Sequence, residues 1–360
     1  MAKSVIKNMS IKGISIVLGE NKRLFSKDKE YYNNDPVQLQ KLKKMIGFDT
    51  RYWTNENTTT ADLCEQAARD LIKKLNIELE SIDAIISVTQ TPDYYMPGNA
   101  HVVHRNLGFP KTTLAFDMEF GCSGYIYGLW TAGMMINNGL KRVLLLTGDT
   151  LSKSANKKDR TEAPLFGDSG SATLVEYDEK ADDSYFILKS DGSGVESMLQ
   201  PAGAYRVPSS EETRKDVEDK DGNVRNQENI YMNGFEIFNF TLTEQPKLLD
   251  EILEFSGNTK DDIDYFVLHQ ANVYIVETIL NKAKIPLEKA PSKIFAKYGN
   301  QNSASIPSAI CSDLKDKFVN EKKKVLMQGF GIGLSWGACI TDLENTVCLE
   351  PTVYKKEDNV

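Results

Sequence analysis

The chain has 360 residues, of which 41% are hydrophobic and 26% are charged, as in an ordinary folded globular protein. Its formal net charge of −8 argues against broad binding to nucleic acid or to an anionic membrane surface, because both need a basic face. The length predicts two domains or one large fused α/β core, and no apolar run is long enough to predict a membrane span.

The cysteine pattern predicts a reduced, cytoplasmic protein. Five cysteines are widely spaced and form no CxxC pair: Cys64, Cys122, Cys311, Cys339 and Cys348. This pattern is typical of neither a disulfide framework nor a zinc site, so we expect no bound metal. The N-terminal residues show no apolar signal segment.

Short buried strands alternate with helices along the chain. In the first half we predict a helix over 59–77, strands over 83–88 and 113–119, a helix beginning at Cys122 and a strand over 142–147. In the second half we predict strands over 265–269, 292–299 and 324–328, with a helix beginning near residue 300. The strands are apolar without alternation, which is typical of parallel strands that are covered on both faces.

The two halves of the chain resemble each other. LESIDAIISVTQT (79–91) matches KDDIDYFVLHQAN (260–272), and KRVLLLTGD (141–149) matches KKVLMQGFG (323–331), at an offset of 181 to 182 residues. We therefore predict two duplicated halves, residues 1–180 with the cysteine site and residues 181–360 with the histidine site. The polar, highly charged segment 209–229 is expected to be an exposed excursion.

Cys122 lies in the sequence FGCSGY, at the start of an apolar helix. A helix N-terminus offers free amide groups and partial positive charge, which stabilise a thiolate. The flanking glycines allow a sharp turn and close approach of a substrate. Cys122 is therefore a candidate acyl-accepting nucleophile, and a buried structural cysteine is the alternative interpretation.

Two further residues fall where ligands collect in parallel sheets, beyond the carboxyl ends of strands. His269 ends a predicted buried strand, where it must be hydrogen-bonded or used in chemistry. Asn300 precedes a predicted helix, either as a cap or as an amide donor for a carbonyl oxygen. His101 and His104 are interpreted as helix residues, since nothing completes a metal site. The glycine run 329–337 lacks dinucleotide-binding spacing and would suit an oxyanion site.

An ordered set of motifs resembles the β-ketoacyl-acyl-carrier-protein synthase III family of the thiolase superfamily. The motifs are TPDY (91–94), GCSG (121–124), LFGDSGSA (165–172), HQAN (269–272), YGNQNSASIP (298–307) and FGIGLSWG (330–337). The resemblance runs from about residue 40 to about residue 340. It implies an α/β fold of the thiolase-like, five-layer αβαβα class with two internally duplicated halves.

The resemblance also implies the roles of particular residues. Cys122 matches the acyl-accepting nucleophile, and His269 and Asn300 match the pair that stabilises an enolate as a malonyl thioester loses carbon dioxide. The backbone amides of Cys122 and Gly333 match the oxyanion hole. Further substrate contacts are implied for a set of five residues: Met96, Leu165, Phe166, Met232 and Asn272.

The implied enzyme is a homodimeric 3-oxoacyl-acyl-carrier-protein synthase of the fatty acid type. Its substrates are acyl-coenzyme A or acyl-carrier-protein thioesters, and no cofactor is permanently bound. The alternatives are an acyltransferase that passes the acyl group to an oxygen or nitrogen acceptor, and a non-catalytic scaffold. Two further interpretations are weaker: a thiolase-like catalytic role for Cys339 and a role as a base for Glu119.

Four residues depart from the family pattern. Gly121 replaces the usual alanine before the nucleophile, and Met96 replaces a phenylalanine in a segment that reaches the partner subunit's acyl pocket. Met45 replaces an arginine that contacts the coenzyme A nucleotide, and Tyr274 replaces a basic residue associated with carrier-protein docking. These departures concern the acyl group and its donor, whereas the Cys-His-Asn set is intact.

Overall fold

The computed structural model describes residues 2–32 and 35–356. Its helices are α1 (Pro36–Ile46), α2 (Thr60–Leu75), α3 (Asn99–Leu107), α4 (Gly124–Asn137), α5 (Gly234–Ser256), α6 (Val273–Lys282), α7 (Ile294–Tyr298) and α8 (Ser305–Asp313). Its strands are β1 (Ala2–Ile6), β2 (Met9–Leu18), β3 (Asn21–Leu24), β4 (Thr50–Trp53), β5 (Ala84–Val88), β6 (Leu114–Met118), β7 (Arg142–Asp149), β8 (Ser169–Tyr177), β9 (Ser184–Ser190), β10 (Met198–Leu199), β11 (Val217–Glu218), β12 (Val224–Arg225), β13 (Tyr231–Met232), β14 (Tyr265–Leu268), β15 (Lys322–Gly331), β16 (Ser335–Glu344), β17 (Val347–Cys348) and β18 (Thr352–Val353).

Two large sheets organise the chain, and they repeat the same strand pattern. The first sheet has the order β17-β2-β8-β7-β5-β6, with β18 also paired to β2, and the second has the order β1-β9-β16-β15-β14. In the first sheet, β5 and β7 are parallel, and β8 and β2 follow antiparallel. In the second sheet, β14, β15, β16 and β9 have the same order and the same directions.

The repeated Ile-Asp pair has the same structural role in both halves. The Asp83 carboxylate accepts a hydrogen bond from the backbone N–H of Arg142 at 2.9 Å, at the start of β7. The Asp264 carboxylate accepts one from the N–H of Lys324 at 2.8 Å, near the start of β15. Each aspartate therefore fixes the register of a buried parallel pair, which explains why the motif recurs at this offset.

One predicted strand is a helix. Residues 292–299, predicted as the counterpart of β6, contain the short helix α7. Its Ile294 and Phe295 are both buried. Ile294 packs in the central core, whereas Phe295 packs in an aromatic cluster, with its ring 5.5 Å from that of Phe48. The second sheet consequently ends at β14.

The sheets and helices form the five layers that the sequence predicts. Helices α2 and α3 cover one face of the first sheet, and α5 and α6 cover the outer face of the second. Helices α4 and α8 lie between the two sheets in the central core. Helix α4 is apolar on all sides because both of its neighbours are sheets, as its sequence suggests.

The halves exchange their terminal strands. β1 joins the second sheet, whereas β17 and β18 join the first.

The charged segment 209–229 is mostly exposed, as predicted. Within the charged segment, β11 and β12 form a short antiparallel hairpin. No helix among residues 2–32 and 35–356 is long and apolar enough to cross a membrane.

Candidate active site

A single cavity of about 640 Å³ brings together Cys122, His269 and Asn300. Cys122 lies between β6 and α4, His269 directly follows β14, and Asn300 lies between α7 and α8. These positions cluster at the carboxyl ends of the parallel strands of both sheets, as the sequence predicts for a ligand site.

Cys122 is buried against the glycine-rich end of β15. The side chain is 6% exposed. A Cβ atom on Gly331 would lie 2.6 Å from the Cβ and 3.0 Å from the Sγ of Cys122, so only glycine fits there. The hydroxyls of Ser123 and Ser335 share a hydrogen bond of 2.6 Å that joins the start of α4 to β16. The two halves therefore meet at Cys122 itself.

The resting form of Cys122 is the thiol. Burial, and then the nearby charge of Asp149, raise the pKa of Cys122 to about 12. The N-terminus of α4 favours the thiolate, as the sequence suggests, but burial of the sulfur dominates. The proton of this thiol must therefore leave before its sulfur can form a bond to a substrate.

His269 is held as a neutral imidazole. Burial lowers the pKa of His269 to about 3, against the opposing effect of a hydrogen bond with the backbone of Asn302. The ring Nδ1 lies 2.7 Å from the Ser305 hydroxyl, and the ring packs edge-on against Phe330 at 5.3 Å between centroids. Nδ1 is thus occupied by a protein partner, which leaves Nε2 for a substrate.

Asn300 presents an amide donor. Its Oδ1 accepts a hydrogen bond of 2.9 Å from the backbone N–H of Asn302, which assigns Nδ2 the donor role. Its backbone pairs with the segment of the first half that contains Phe166, through the N–H of Asn300 to the carbonyl of Leu165 at 2.8 Å. The loop is therefore anchored and the amide is preoriented.

Sequence reasoning missed a buried carboxyl group below the site. Asp149 accepts hydrogen bonds from both halves: from the backbone N–H of Gln90 at 2.7 Å, from Asn302 Nδ2 at 2.8 Å and from the Ser303 hydroxyl at 3.1 Å. Burial raises the pKa of Asp149 to about 7, although these bonds oppose the shift. The sequence did contain a signal for Asp149. This residue ends the repeated segment KRVLLLTGD, and its counterpart in the second half is Gly331, which lies beside Cys122.

The side chain of Gln90 explains why a glycine precedes Cys122. A Cβ atom on Gly121 would lie 2.3 Å from Gln90 Oε1 and 2.8 Å from Ile332 Cγ2. The side chain of Gln90 therefore occupies the space that an alanine methyl group would need. Gln90 also lines a second cavity, which has a volume of about 770 Å³.

The remaining predicted contacts divide between the two cavities. Four of the five line the cavity of Cys122: Leu165, Phe166, Met232 and Asn272. Met96 lies instead beside the second cavity, with its side chain 72% exposed. Gly331 is the glycine in contact with Cys122, whereas a Cβ atom on Gly333 would meet Ser335, so the oxyanion role of Gly333 stays a prediction.

The weaker candidates lie elsewhere. Cys339 is fully buried in the central core, and Glu119 is exposed to solvent. His101 and His104 lie on α3 as expected, with His104 Nε2 at 3.1 Å from the carbonyl of Pro110. Among the residues that the structure describes, no group of three His, Cys, Asp or Glu side chains could hold a metal ion.

Comparison with protein families identifies the two parts of the chain that contain Cys122, His269 and Asn300. Residues 116–192 match the family described as 3-oxoacyl-[acyl-carrier-protein (ACP)] synthase III, and residues 253–343 match its C-terminal family. A Campylobacter jejuni protein, provisionally named a 3-oxoacyl-[acyl-carrier-protein] synthase 3, is 39% identical over 351 residues, which cover 96% of this chain and 97% of that protein. The β-ketoacyl-[acyl-carrier-protein] synthase III of Caldanaerobacter subterraneus is 35% identical over 82% of this chain and 86% of its own.

The fold agrees with solved structures. The crystal structure of a 3-oxoacyl-(acyl-carrier protein) synthase from Burkholderia xenovorans superposes with a TM-score of 0.91 at 34% identity. The superposition covers 98% of this chain and 99% of that one. The similarity therefore extends through both sheets and all three helical layers.

Proposed function

Because the chain belongs to the 3-oxoacyl-[acyl-carrier-protein] synthase III family of condensing enzymes, we propose that it loads an acyl group on Cys122 and extends it with a malonyl thioester. The observation that carries this proposal is the convergence of Cys122, His269 and Asn300 on one cavity. The enzyme is an acyltransferase, and the family does not favour the alternative with an oxygen or nitrogen acceptor.

In the first step, the sulfur of Cys122 attacks the carbonyl carbon of an acyl thioester. A new C–S bond forms to Cys122 and the bond to the donor sulfur breaks. The proton of the Cys122 thiol passes to the departing thiolate of the donor, and His269 keeps its Nε2–H. Backbone amides at the start of α4 and around Gly331 to Gly333 stabilise the tetrahedral oxyanion.

In the second step, a malonyl thioester occupies the cavity and loses carbon dioxide. The electron pair of the broken C–C bond becomes an enolate, whose oxygen accepts hydrogen bonds from Nε2–H of His269 and Nδ2–H of Asn300. The enolate carbon attacks the acyl-Cys122 carbonyl, and the C–S bond to Cys122 breaks. The products are carbon dioxide, a 3-oxoacyl thioester and the Cys122 thiolate, which takes up a proton from solvent to restore the thiol.

We further propose a homodimer and a cytoplasmic location. The described residues expose an apolar group beside the second cavity, with Tyr94 60%, Tyr95 71% and Met96 72% exposed. An exposed patch of this kind supports burial against a second copy. All five cysteines are unpaired, which supports a reducing compartment.

The test is intact mass spectrometry after incubation with acyl thioesters of coenzyme A and of acyl carrier protein. We expect one acyl adduct, lost in Cys122→Ala. We expect Asn300→Ala to form the adduct but to release carbon dioxide from the malonyl thioester at least about 100-fold more slowly, because one enolate donor is missing. Absence of an adduct with every donor, or full condensation by Asn300→Ala, would contradict the proposal.

A further inference from the structure

Two cysteines outside the active site meet at one residue of β2. The Cys311 thiol, on α8, donates a hydrogen bond of 3.5 Å to the backbone carbonyl of Ile14. Cys348, on β17, is paired with the same residue in the parallel register of β17 and β2. The backbone N–H of Leu349 donates to that same carbonyl at 2.9 Å. The sulfur of Cys311 therefore lies against the piece of backbone that carries Cys348.

The two thiols also contact each other. Burial raises the pKa of Cys311 well above its usual value, and a hydrogen bond with the Cys348 side chain acts in the same direction. Both cysteines are unpaired in this structure. A disulfide forms without backbone movement only where two cysteine side chains already face each other, and the hydrogen bond holds these two in that arrangement.

A third cysteine in the same region is the alternative partner. Burial raises the pKa of Tyr125, and the thiols of Cys311, Cys348 and Cys339 add to this shift, so all three lie near its ring. Burial alone raises the pKa of Cys339, without a contribution from another thiol among the described residues. The contacts therefore indicate Cys348, and not Cys339, as the partner of Cys311.

The two members of the pair differ in their access to solvent. Cys311 is fully buried in the central core, whereas Cys348 is half-buried at the edge of that core. Cys348 belongs to a strand of two residues at the edge of the first sheet. An oxidant in solution would therefore reach Cys348 first.

We propose that Cys311 and Cys348 form a reversible disulfide when the protein meets a low-molecular-weight disulfide, such as glutathione disulfide. The inference does not depend on the proposed function, because neither thiol lines the cavity of Cys122. In a reducing compartment the pair is held as two thiols, and the disulfide forms when the compartment becomes oxidising.

The reaction proceeds by two exchanges. The sulfur of Cys348 attacks one sulfur of the oxidant, so that a mixed disulfide forms and one small thiol leaves. The sulfur of Cys311 then attacks the sulfur of Cys348, the bond to the oxidant breaks and the second small thiol leaves. The two cysteines give up two electrons and two protons, and the oxidant takes up both.

The bond would tie the C-terminal strands to the core. It joins α8 of the second half to β17, which lies in the sheet of the first half. The N–H groups of Leu349 and Tyr354 are bonded to carbonyls of β2. These hydrogen bonds open less often when β17 is covalently held, so their hydrogen exchange should slow.

The first test uses Cys122→Ala, in which the active-site thiol cannot react. The protein is equilibrated with glutathione and glutathione disulfide, and intact mass spectrometry follows a loss of about 2 Da. Trypsin and a glutamate-specific protease, which cuts after Glu344, place Cys339 and Cys348 in separate peptides. We expect a cross-link of Cys311 to Cys348, with an equilibrium constant at least about tenfold larger in the native chain than in urea. An equal or smaller constant in the native chain, or a cross-link to Cys339, would overturn the inference.

The second test adds Cys348→Ser or, as the matched control, Cys339→Ala to the same parent. The first substitution should abolish the cross-link and the second should retain it. Oxidation should slow hydrogen exchange over residues 346–354 at least about tenfold in the parent, and leave it unchanged with Cys348→Ser. Exchange that oxidation does not slow in the parent would contradict the inference. The peptide map identifies the bond directly, so the inference stays testable if a variant fails to fold.

Discussion

At the scale of single residues, the surroundings decide the chemistry of the site. Cys122 and His269 are both uncharged at neutral pH because the cavity buries them, although isolated side chains of these types titrate nearer to neutrality. Asp149 links the two halves below them through Gln90 and Asn302. The surroundings of Cys122 therefore include residues outside the lining of the cavity.

We predict that Asp149→Asn makes the Cys122 thiol more acidic. Because the pKa of Asp149 is about 7, its carboxylate is charged throughout the range in which Cys122 titrates, and this charge disfavours the thiolate. Removing it should move the pH midpoint of Cys122 alkylation by iodoacetamide downward, by up to about one pH unit. Rates from Cys122→Ala are subtracted as background. An unchanged or higher midpoint would show that the charge does not act on Cys122.

We predict that Gly121→Ala destabilises the protein and that a smaller residue at position 90 reverses the effect. The added methyl group would overlap Gln90 Oε1, so we expect a loss of about 1–3 kcal/mol in the free energy of unfolding. The double variant Gly121→Ala/Gln90→Ser should recover most of it. Gly192→Ala is the control, since a Cβ atom there meets open space. Additive effects of the two substitutions in urea titrations would contradict the overlap.

At the scale of elements, local signals fixed most helices, and tertiary packing changed one strand. Helix α2 has a capping box, in which the Thr59 hydroxyl accepts from the N–H of Asp62 and the Asp62 carboxylate accepts from the N–H of Thr59. The segment 292–299 instead contains α7, whose Phe295 packs in the aromatic cluster around Phe48 and whose Ile294 packs in the central core. Apolar strings of this length are compatible with both outcomes.

We predict that Thr59→Ala lowers stability by about 1 kcal/mol, as loss of an N-cap does elsewhere. The same hydroxyl donates to the Asp93 carboxylate at 2.9 Å, so the loop that precedes Met96 should also loosen. Urea unfolding measures the first effect, and hydrogen exchange over residues 91–97 measures the second. Thr112→Ala, an exposed loop position, should change stability by less than about 0.5 kcal/mol. Equal stability losses in the two variants would contradict a specific cap.

At the scale of the whole molecule, the duplicated halves place one site between them and leave an apolar patch beside it. The residues around Tyr95 are exposed in the single chain, and the Tyr95 ring packs against that of Tyr205 at 5.8 Å. This patch adjoins the cavity that contains Gln90. Association of two copies through the patch would close that cavity.

We predict that Met96→Asp weakens the proposed dimer, because a charge would be buried in the apolar interface. Light scattering coupled to size exclusion should show a lower mass at low micromolar concentration. The control is Val37→Asp, whose side chain is 74% exposed on α1, and which should leave the mass unchanged. A monomeric parent chain, or a Met96→Asp variant with undiminished mass, would contradict the proposed interface.

The sequence by itself determined the duplicated α/β architecture, and it predicted the three residues that the structure brings together in one cavity. Buried strands need apolar runs and helix starts need caps, and both are local patterns that a sequence displays. His269 follows a strand, and Asn300 precedes a helix. Both could be predicted from the sequence because ligands collect beyond the carboxyl ends of parallel strands.

Only the tertiary structure decided what surrounds those residues. The neighbours of Cys122 at Gly331, Gln90 and Asp149 come from distant parts of the chain, and their effect depends on distances below about 4 Å that no local pattern encodes. The charged segment shows the same limit. Its composition predicts exposure, but only packing places Asp219 and Asp221 in the lining of the Cys122 cavity.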